Sequence, residues 1–363
     1  MCATALRHFA NIMTLLPPVN GPNIGPFKYF GPKLNIKFIV KLGDSKFACV
    51  WKVDIGGVIY ALKLFKREIT MEDIDPSHRT QLEERDDIDE NEILQSLDPF
   101  SNECRAYGRL KEVKRTNIGA ACYGYLLLNH NYGNDDLDGA DFAELEWVEV
   151  KEQNPWRKVQ VRAIVKEYMA SHFPFSEQMI PQMLRNLKTL HRYGIIHQGI
   201  HEDNYREGLL IDFSTALTVP HYLLDKKRGF STLEEMYDYD VEDGSAFDLM
   251  ISKWSAYNDI RVWHRFLPNL RYRARLRSEK RTIEAVASND IPAFIQEGEE
   301  RRKKLRAGMR WHAADYKWKE KMKKQKGKRI RIRKRVRRPS FSQLLDRQNP
   351  RRLPRNLEQM PYL

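Results

Sequence analysis

Between His191 and Ala216 two short apolar runs each stop at a polar cluster. Gly194-Ile195-Ile196 leads into His197-Gln198-Gly199-Ile200-His201-Glu202-Asp203-Asn204, and Leu209-Leu210-Ile211 leads into Asp212-Phe213-Ser214. Gly208 marks a turn between them, so a small hairpin is predicted. That hairpin brings Asn204 and Asp212 together. An amide oxygen beside a carboxylate is a hard-oxygen pair suited to magnesium, and magnesium suits a nucleotide phosphate.

The flanking elements follow from spacing. Met179, Met183, Leu184, Leu187 and Leu190 repeat at helical intervals up to Gly194, with Ser176 as the expected N-cap. Residues 17–32 hold five prolines and three glycines, which predicts a lead-in with little regular structure. From Ile36 onward, Phe38 to Val53 and Val58 to Phe65 read as strands joined by a turn at Gly56-Gly57. A short helix is expected over Asp98 to Leu110, with Glu103 near its start. Tyr123 to Leu128 and Val159 to Met169 read as further strands, with an acidic insert between them. Glu83 to Asp87 reads as a solvated loop or helix face. Val241 to Trp263 reads as helical, and Asp290 and Pro292 as the start of another helix.

The polar clusters resemble the H-R-D…N and D-F-G signatures of protein kinases, and equally the H-G-D-x-H-x-x-N signature of small-molecule phosphotransferases of the same fold. His197, Ile200, Asn204, Asp212 and Phe213 fall on matching positions, and Ser214 replaces the last glycine. Gly43 to Val50 lies on the G-x-G-x-x-G-x-V template, with Ser45 and Ala48 for the second and third glycines. Tyr60-Ala61-Leu62-Lys63 resembles the V-A-I-K strand. The resemblance implies an α+β, two-lobed kinase-like fold with a small β-rich N-lobe and a reduced helical C-lobe. It divides the chain into a lead-in at 1–34, an N-lobe at 35–170, a C-lobe at 171–275, a charged helical and basic segment at 276–338 and a tail at 339–363. It implies ATP and magnesium as cofactors. Gly43, Ser45, Ala48, Lys63, Glu103, Glu167 and Met169 would contact the nucleotide, Glu103 by pairing with Lys63, and Asn204 and Asp212 would hold the metal. Lys166 would limit the back of the adenine pocket, where a buried cation needs a partner. The plain alternatives are an ordinary hairpin with an exposed Lys63 and a surface carboxylate at Glu103.

One departure decides the expected activity. Gly199 falls where kinases place the aspartate that accepts the substrate hydroxyl proton, and glycine has no side chain to do so. Asp203 is the candidate substitute, with Glu202 and His201 behind it. Losing a general base typically costs about 10² to 10⁴ in rate. The segments DPFSNECRAYGRLKE, CYGYLLL, VRAIVKEY, LHRYGIIH…NY and LLIDFSTA are similar to a fungal family of kinase-like proteins labelled as kinetochore subunits. That family typically keeps an Asp at the position of Gly199.

Charge is unevenly placed. Between Arg301 and Arg338 twenty Lys and Arg stand against Asp315 and Glu320, giving that segment +18, while the remaining 325 residues carry −5 of the chain's net +13. The basic segment suits nucleic-acid phosphates, nuclear import machinery or solvent, and Trp311, Tyr316 and Trp318 within it suit base stacking or helix packing. Ser340 follows two arginines and a proline, a context suited to phosphorylation. Cys2, Cys49, Cys104 and Cys122 show no paired spacing and suit a reducing compartment. No apolar run is long enough for a membrane span. His197 and His201 stand four apart near Glu202 and Asp203, which makes them candidate zinc ligands. The sequence reading is a pseudokinase acting as a binding or scaffold module in the nucleus, with protein partners and a kinetochore or chromatin setting. Its alternatives are an active phosphotransferase with a displaced base, a nucleic-acid-binding protein acting through Arg301 to Arg338, and a cytoplasmic location.

Overall fold

A computed structural model of the chain describes residues 21–31, 34–66, 70–74, 79–80, 90–129, 160–266, 299–300 and 302–318. The sequence expectations for Glu83 to Asp87, the acidic insert, the helix start at Asp290 and the basic run beyond Trp318 lie outside these residues. The chain divides into two units, 1–316 and 317–363. The first of these is a mixed α+β body.

Five antiparallel strands form one sheet: β1 (Ile36–Asp44), β2 (Ala48–Ile55), β3 (Val58–Phe65), β4 (Cys122–Asn129) and β5 (Gln160–Glu167), in the order β1-β2-β3-β5-β4. The β2–β3 hairpin turns through Gly56 at φ 65° and Gly57 at φ 86°, a conformation side-chain-bearing residues resist, and the Asp54 carboxylate accepts the Gly57 N–H at 2.7 Å. One sheet face packs on a helix through Phe65 against Phe100, ring centroids 5.3 Å apart. The other is covered by the lead-in, where Phe27 meets Tyr60 at 5.6 Å.

The lead-in has no helix or strand over 21–31, as expected, yet it is packed rather than solvated. Phe27 N–H donates to Tyr125 O at 2.8 Å, and Ile24 and Phe27 are buried. Two glycines permit this approach. A Cβ at Gly108 would lie 2.5 Å from Asn23 N, and one at Gly124, φ 140°, would lie 2.6 Å from Phe27 N.

Among the described residues the helices with both ends placed are α1 (Glu90–Leu97), α2 (Pro99–Glu112), α3 (Ile180–Arg192) and α4 (Leu233–Tyr257), and residues 302–307 are helical as well. Asp98 caps α2 by accepting from Ser101 N at 3.0 Å and is itself clamped by Arg162 at 2.8 and 3.0 Å. Two sequence expectations need correction. Ser176 makes no capping hydrogen bond; a 3-10 turn over Glu177–Met179 precedes α3, and Pro181 sits in its first turn. The helix expected over Val241 to Trp263 begins at Leu233 and ends at Tyr257. Its start is a capping box, in which Thr232 accepts from Glu235 N and Glu235 accepts from Thr232 N. No helix among the described residues is long and apolar enough to cross a membrane.

Candidate functional site

The site begins with two lysines on one sheet face. In an antiparallel pair, directly opposed residues share a face and residues two apart return to it. Lys63 opposes Ile164 and Ala61 opposes Lys166, so both lysines project toward α2. Glu103 is fully buried on α2 and meets both. Lys63 Nζ donates to its Oε2 at 2.8 Å, and Lys166 Nζ to its Oε1 at 2.7 Å. Lys63 also donates to Asp212 Oδ1 at 2.6 Å, and Lys166 to Ile211 O at 2.7 Å.

Two cations and two carboxylates thus close a neutral cluster. Burial works against a charge on Lys63, but Glu103 and Asp212 outweigh it and raise its pKa. Burial likewise opposes ionisation of Asp212, yet Lys63 and Lys166 overcome it and hold the carboxyl well below the usual carboxylate range. The reading of Glu103 as a surface carboxylate and of Lys63 as an exposed lysine is therefore overturned, and Lys166 has the partner that its burial demands. Glu103 lies a full turn inside α2 rather than near its start.

The predicted hairpin is present as β6 (Tyr205–Arg206) and β7 (Leu209–Leu210), turning at Glu207-Gly208. Asn204 and Asp212 flank it at the same end, tied by Ile211 N–H to Asn204 O at 3.0 Å. His197 is buried between them. Its Nε2 lies 2.7 Å from Asp212 O, and its Nδ1 receives Gly199 N–H at 3.2 Å. Those two partners assign the neutral tautomer with the proton on Nε2. Burial keeps its pKa below the ordinary histidine value. With both ring nitrogens engaged, His197 is not available to zinc. Among the described residues no group of three or more His, Cys, Asp or Glu is placed to hold a metal ion.

The loop is held from below by α4, a feature sequence reasoning missed. Asp243 accepts His197 N–H at 2.7 Å, Gln198 N–H at 2.8 Å and lies 3.1 Å from His191 Nε2. Gln198 is held there at φ 56°, a left-handed value uncommon without glycine.

At Gly199 space is the constraint. A Cβ there would lie 2.9 Å from Thr215 Oγ1 and 3.3 Å from Asn204 Nδ2. Thr215 Oγ1 is committed, donating to His197 O at 3.0 Å. Asp203 stands apart, with its side chain 95% exposed and 3.8 Å from His201 Nδ1.

Asn204 Nδ2 donates to Gly199 O at 2.8 Å, which leaves its Oδ1 open among the described residues. Both hydrogen bonds to Asp212 fall on Oδ1, from Lys63 and from Ser214 N. The remaining pair, an amide oxygen and a carboxylate oxygen, has donor chemistry that fits magnesium. Gly43 and Ser45 lie at the β1–β2 hairpin, where Ser45 Oγ both donates to Ala48 O at 3.0 Å and accepts Ala48 N–H at 3.2 Å. Ala48 is buried in the core. Glu167 ends β5 with its N–H committed to Ala121 O at 2.8 Å, and Met169 is half-buried just beyond.

These features define an α+β protein in which a sheet and a helix enclose a buried lysine–carboxylate cluster above a polar hairpin. The chain belongs to the family of the kinetochore Sim4 complex subunit FTA2, whose model matches residues 12–217, more than half of its length. No curated protein matches it. The matched span ends one residue past Ala216 and so contains the cluster and the hairpin but not α4.

Proposed function

We propose that this kinetochore subunit keeps a protein-kinase-like frame as a nuclear binding scaffold and has given up phosphotransfer. The observation that carries the proposal is the surrounding of Gly199. The position where kinases need a proton-accepting carboxylate has no side chain, and Thr215 Oγ1 fills the adjoining space. The strand order, the Lys63–Glu103 pair and the aspartate of α4 that holds the loop backbone support the kinase-like frame. Membership of a kinetochore subunit family implies protein partners.

In this reading Lys63 would face the phosphates of a nucleotide, and Asn204 and Asp212 would hold its magnesium ion. The ion would neutralise phosphate charge. This reading assigns Asp203 no role as the base, and its 95% exposed side chain, 3.8 Å from His201 Nδ1, supports that assignment.

The test is a phosphotransfer and thermal-shift experiment on the full chain with ATP and magnesium. Turnover is expected to match that of Asp212→Ala, while Gly199→Asp alone loses stability by about 1–3 kcal/mol through overpacking. Gly199→Asp with Thr215→Ala relieves the crowding, and any gain of turnover is expected only there. Turnover in the unaltered chain that Asp212→Ala abolishes would refute the proposal.

A further inference from the structure

We propose that the outer face of α3, together with the tryptophan beside its C-terminal end, binds single-stranded nucleic acid. Arg185, Lys188 and Arg192 lie three and seven residues along α3, which places them on one face, and all three are exposed. The helix contains no acidic residue. Over those seven residues the face extends about 10 Å, the reach of a short stretch of sugar-phosphate backbone.

Trp311 is 44% exposed and has two guanidinium groups against its ring, Arg192 at 5.1 Å and Arg310 at 5.3 Å from the centroid. Lys188 Nζ lies 5.4 Å from the Phe266 ring. Among the described residues none of these four cations is ion-paired; Arg185 bonds only the amide oxygen of Gln182. Arg162, Arg228 and Arg306 each face a carboxylate, whereas these four cations share one surface with none opposite, so this face is a local excess of positive charge.

The tryptophan is carried on a fixed segment. Ala313 N–H donates to buried Asp240 at 3.2 Å. Tyr316 packs so closely on Gly194 that a Cβ there would lie 2.8 Å from Tyr316 Cβ, and Arg109 covers the Tyr316 ring at 4.5 Å. An indole face flanked by unneutralised arginines has the two parts of a single-strand site: a stacking platform and cations for the backbone. A base stacks on Trp311 in place of one guanidinium, which moves to a phosphate. A duplex keeps its bases stacked inside and offers no free face to that platform. Sequence continues the theme, since fourteen Lys and Arg fall between Lys317 and Arg338.

The experiment uses the full chain, with a labelled 20-residue oligothymidine, a mixed-sequence duplex and polyglutamate as probes. Oligothymidine is expected to bind tightest. Trp311→Ala is expected to weaken it by about fivefold or more, and Trp311→Phe much less, since phenylalanine still stacks. The triple variant Arg185→Gln, Lys188→Gln, Arg192→Gln is expected to lower the slope of log affinity against log salt by about 2, with the basic run intact. Three results would overturn the proposal. One is a triple variant with unchanged affinity and slope, which assigns binding to the basic run alone. Another is duplex bound as tightly as oligothymidine with no effect of Trp311→Ala. The third is a triple variant that loses polyglutamate but keeps oligothymidine, which makes the face a site for acidic protein. Melting temperatures of each variant identify loss through unfolding, and the triple variant alters only exposed side chains.

Discussion

Glu103 carries one lysine on each carboxylate oxygen, and that single residue closes the cluster. Replacing it by glutamine leaves buried Lys63 with Asp212 as its carboxylate and buried Lys166 bonded to no carboxylate, with the Ile211 carbonyl as its remaining partner. Breaking a buried pair from one side costs about 3–5 kcal/mol, and Glu103→Gln is expected to lose that much in chemical denaturation. Lys63→Met is expected to lose less, because Glu103 keeps Lys166 and the Asp212 side chain is 31% exposed and can turn to water. Equal losses would show that the cluster is not shared in this way. Lys63, Glu103 and Asp212 were legible in the sequence, because their identities and intervals follow a motif. The second half of the cluster was only half legible. That Lys166 needed a partner followed from its expected burial, but its identity depends on β5 lying beside β3, which is a fact of sheet order. Thr215 was not legible at all, since nothing in its local sequence tells that its hydroxyl fills the space over Gly199.

Helix α4 organises the body through acids that read as surface in the sequence. Asp240, Asp243 and Asp248 are all buried and each is engaged by groups from other segments. An unpaired buried carboxylate is expensive, so these bonds decide where the loop, α3 and the later chain can sit. The run YDYDVEDGSAFD looks solvated, and its charges hide the apolar spacing of Met236, Val241, Phe247 and Ile251. The helix start at Thr232 is legible as a Thr-x-x-Glu capping signal, but it lies well ahead of the apolar residues from Val241 onward that mark the helix. His191 shows what the arrangement does. Its Nδ1 lies 3.3 Å from Asp240 and its Nε2 3.1 Å from Asp243. Burial disfavours the imidazolium, but the two aspartates outweigh burial and raise the pKa above 6.5. A raised folded-state pKa stabilises fully below the unfolded value and is lost as pH rises through the folded value. The melting-temperature gap between the unaltered chain and His191→Gln is therefore expected to be widest below about pH 6.5 and to narrow above it. A gap that widens with rising pH would show that His191 is neutral between its aspartates.

At the scale of the molecule, the sequence invited a cut between a folded body and one long basic segment. The chain divides later than that, after Tyr316. Arg302, Lys303, Lys304, Arg306 and Arg310 count toward the basic segment, yet residues 302–316 are tied into the body. Arg306 is buried and grips Asp238 through both carboxylate oxygens at 2.9 Å and Glu234 at 3.0 Å. Ala313 and Leu305 are buried, and Lys226 pairs with Asp315. Lysine and arginine count alone could not separate these residues from the run that follows, because a cation's role depends on whether a carboxylate stands opposite. A chain ending at Gln296 would strip Asp238 of Arg306, leave buried Asp240 with His191 but without Ala313 and His312, and uncover the Gly194 turn. It is expected to lose about 3–5 kcal/mol, a fall in melting temperature on the order of 10 °C for a body of this size. A chain ending at Trp318 keeps every one of these bonds and is expected to melt with the full-length protein. Calorimetry on the two truncations decides it: equal melting of both would mean that 302–316 is an appendage, and its bonds to α4 contribute nothing to the stability of the body.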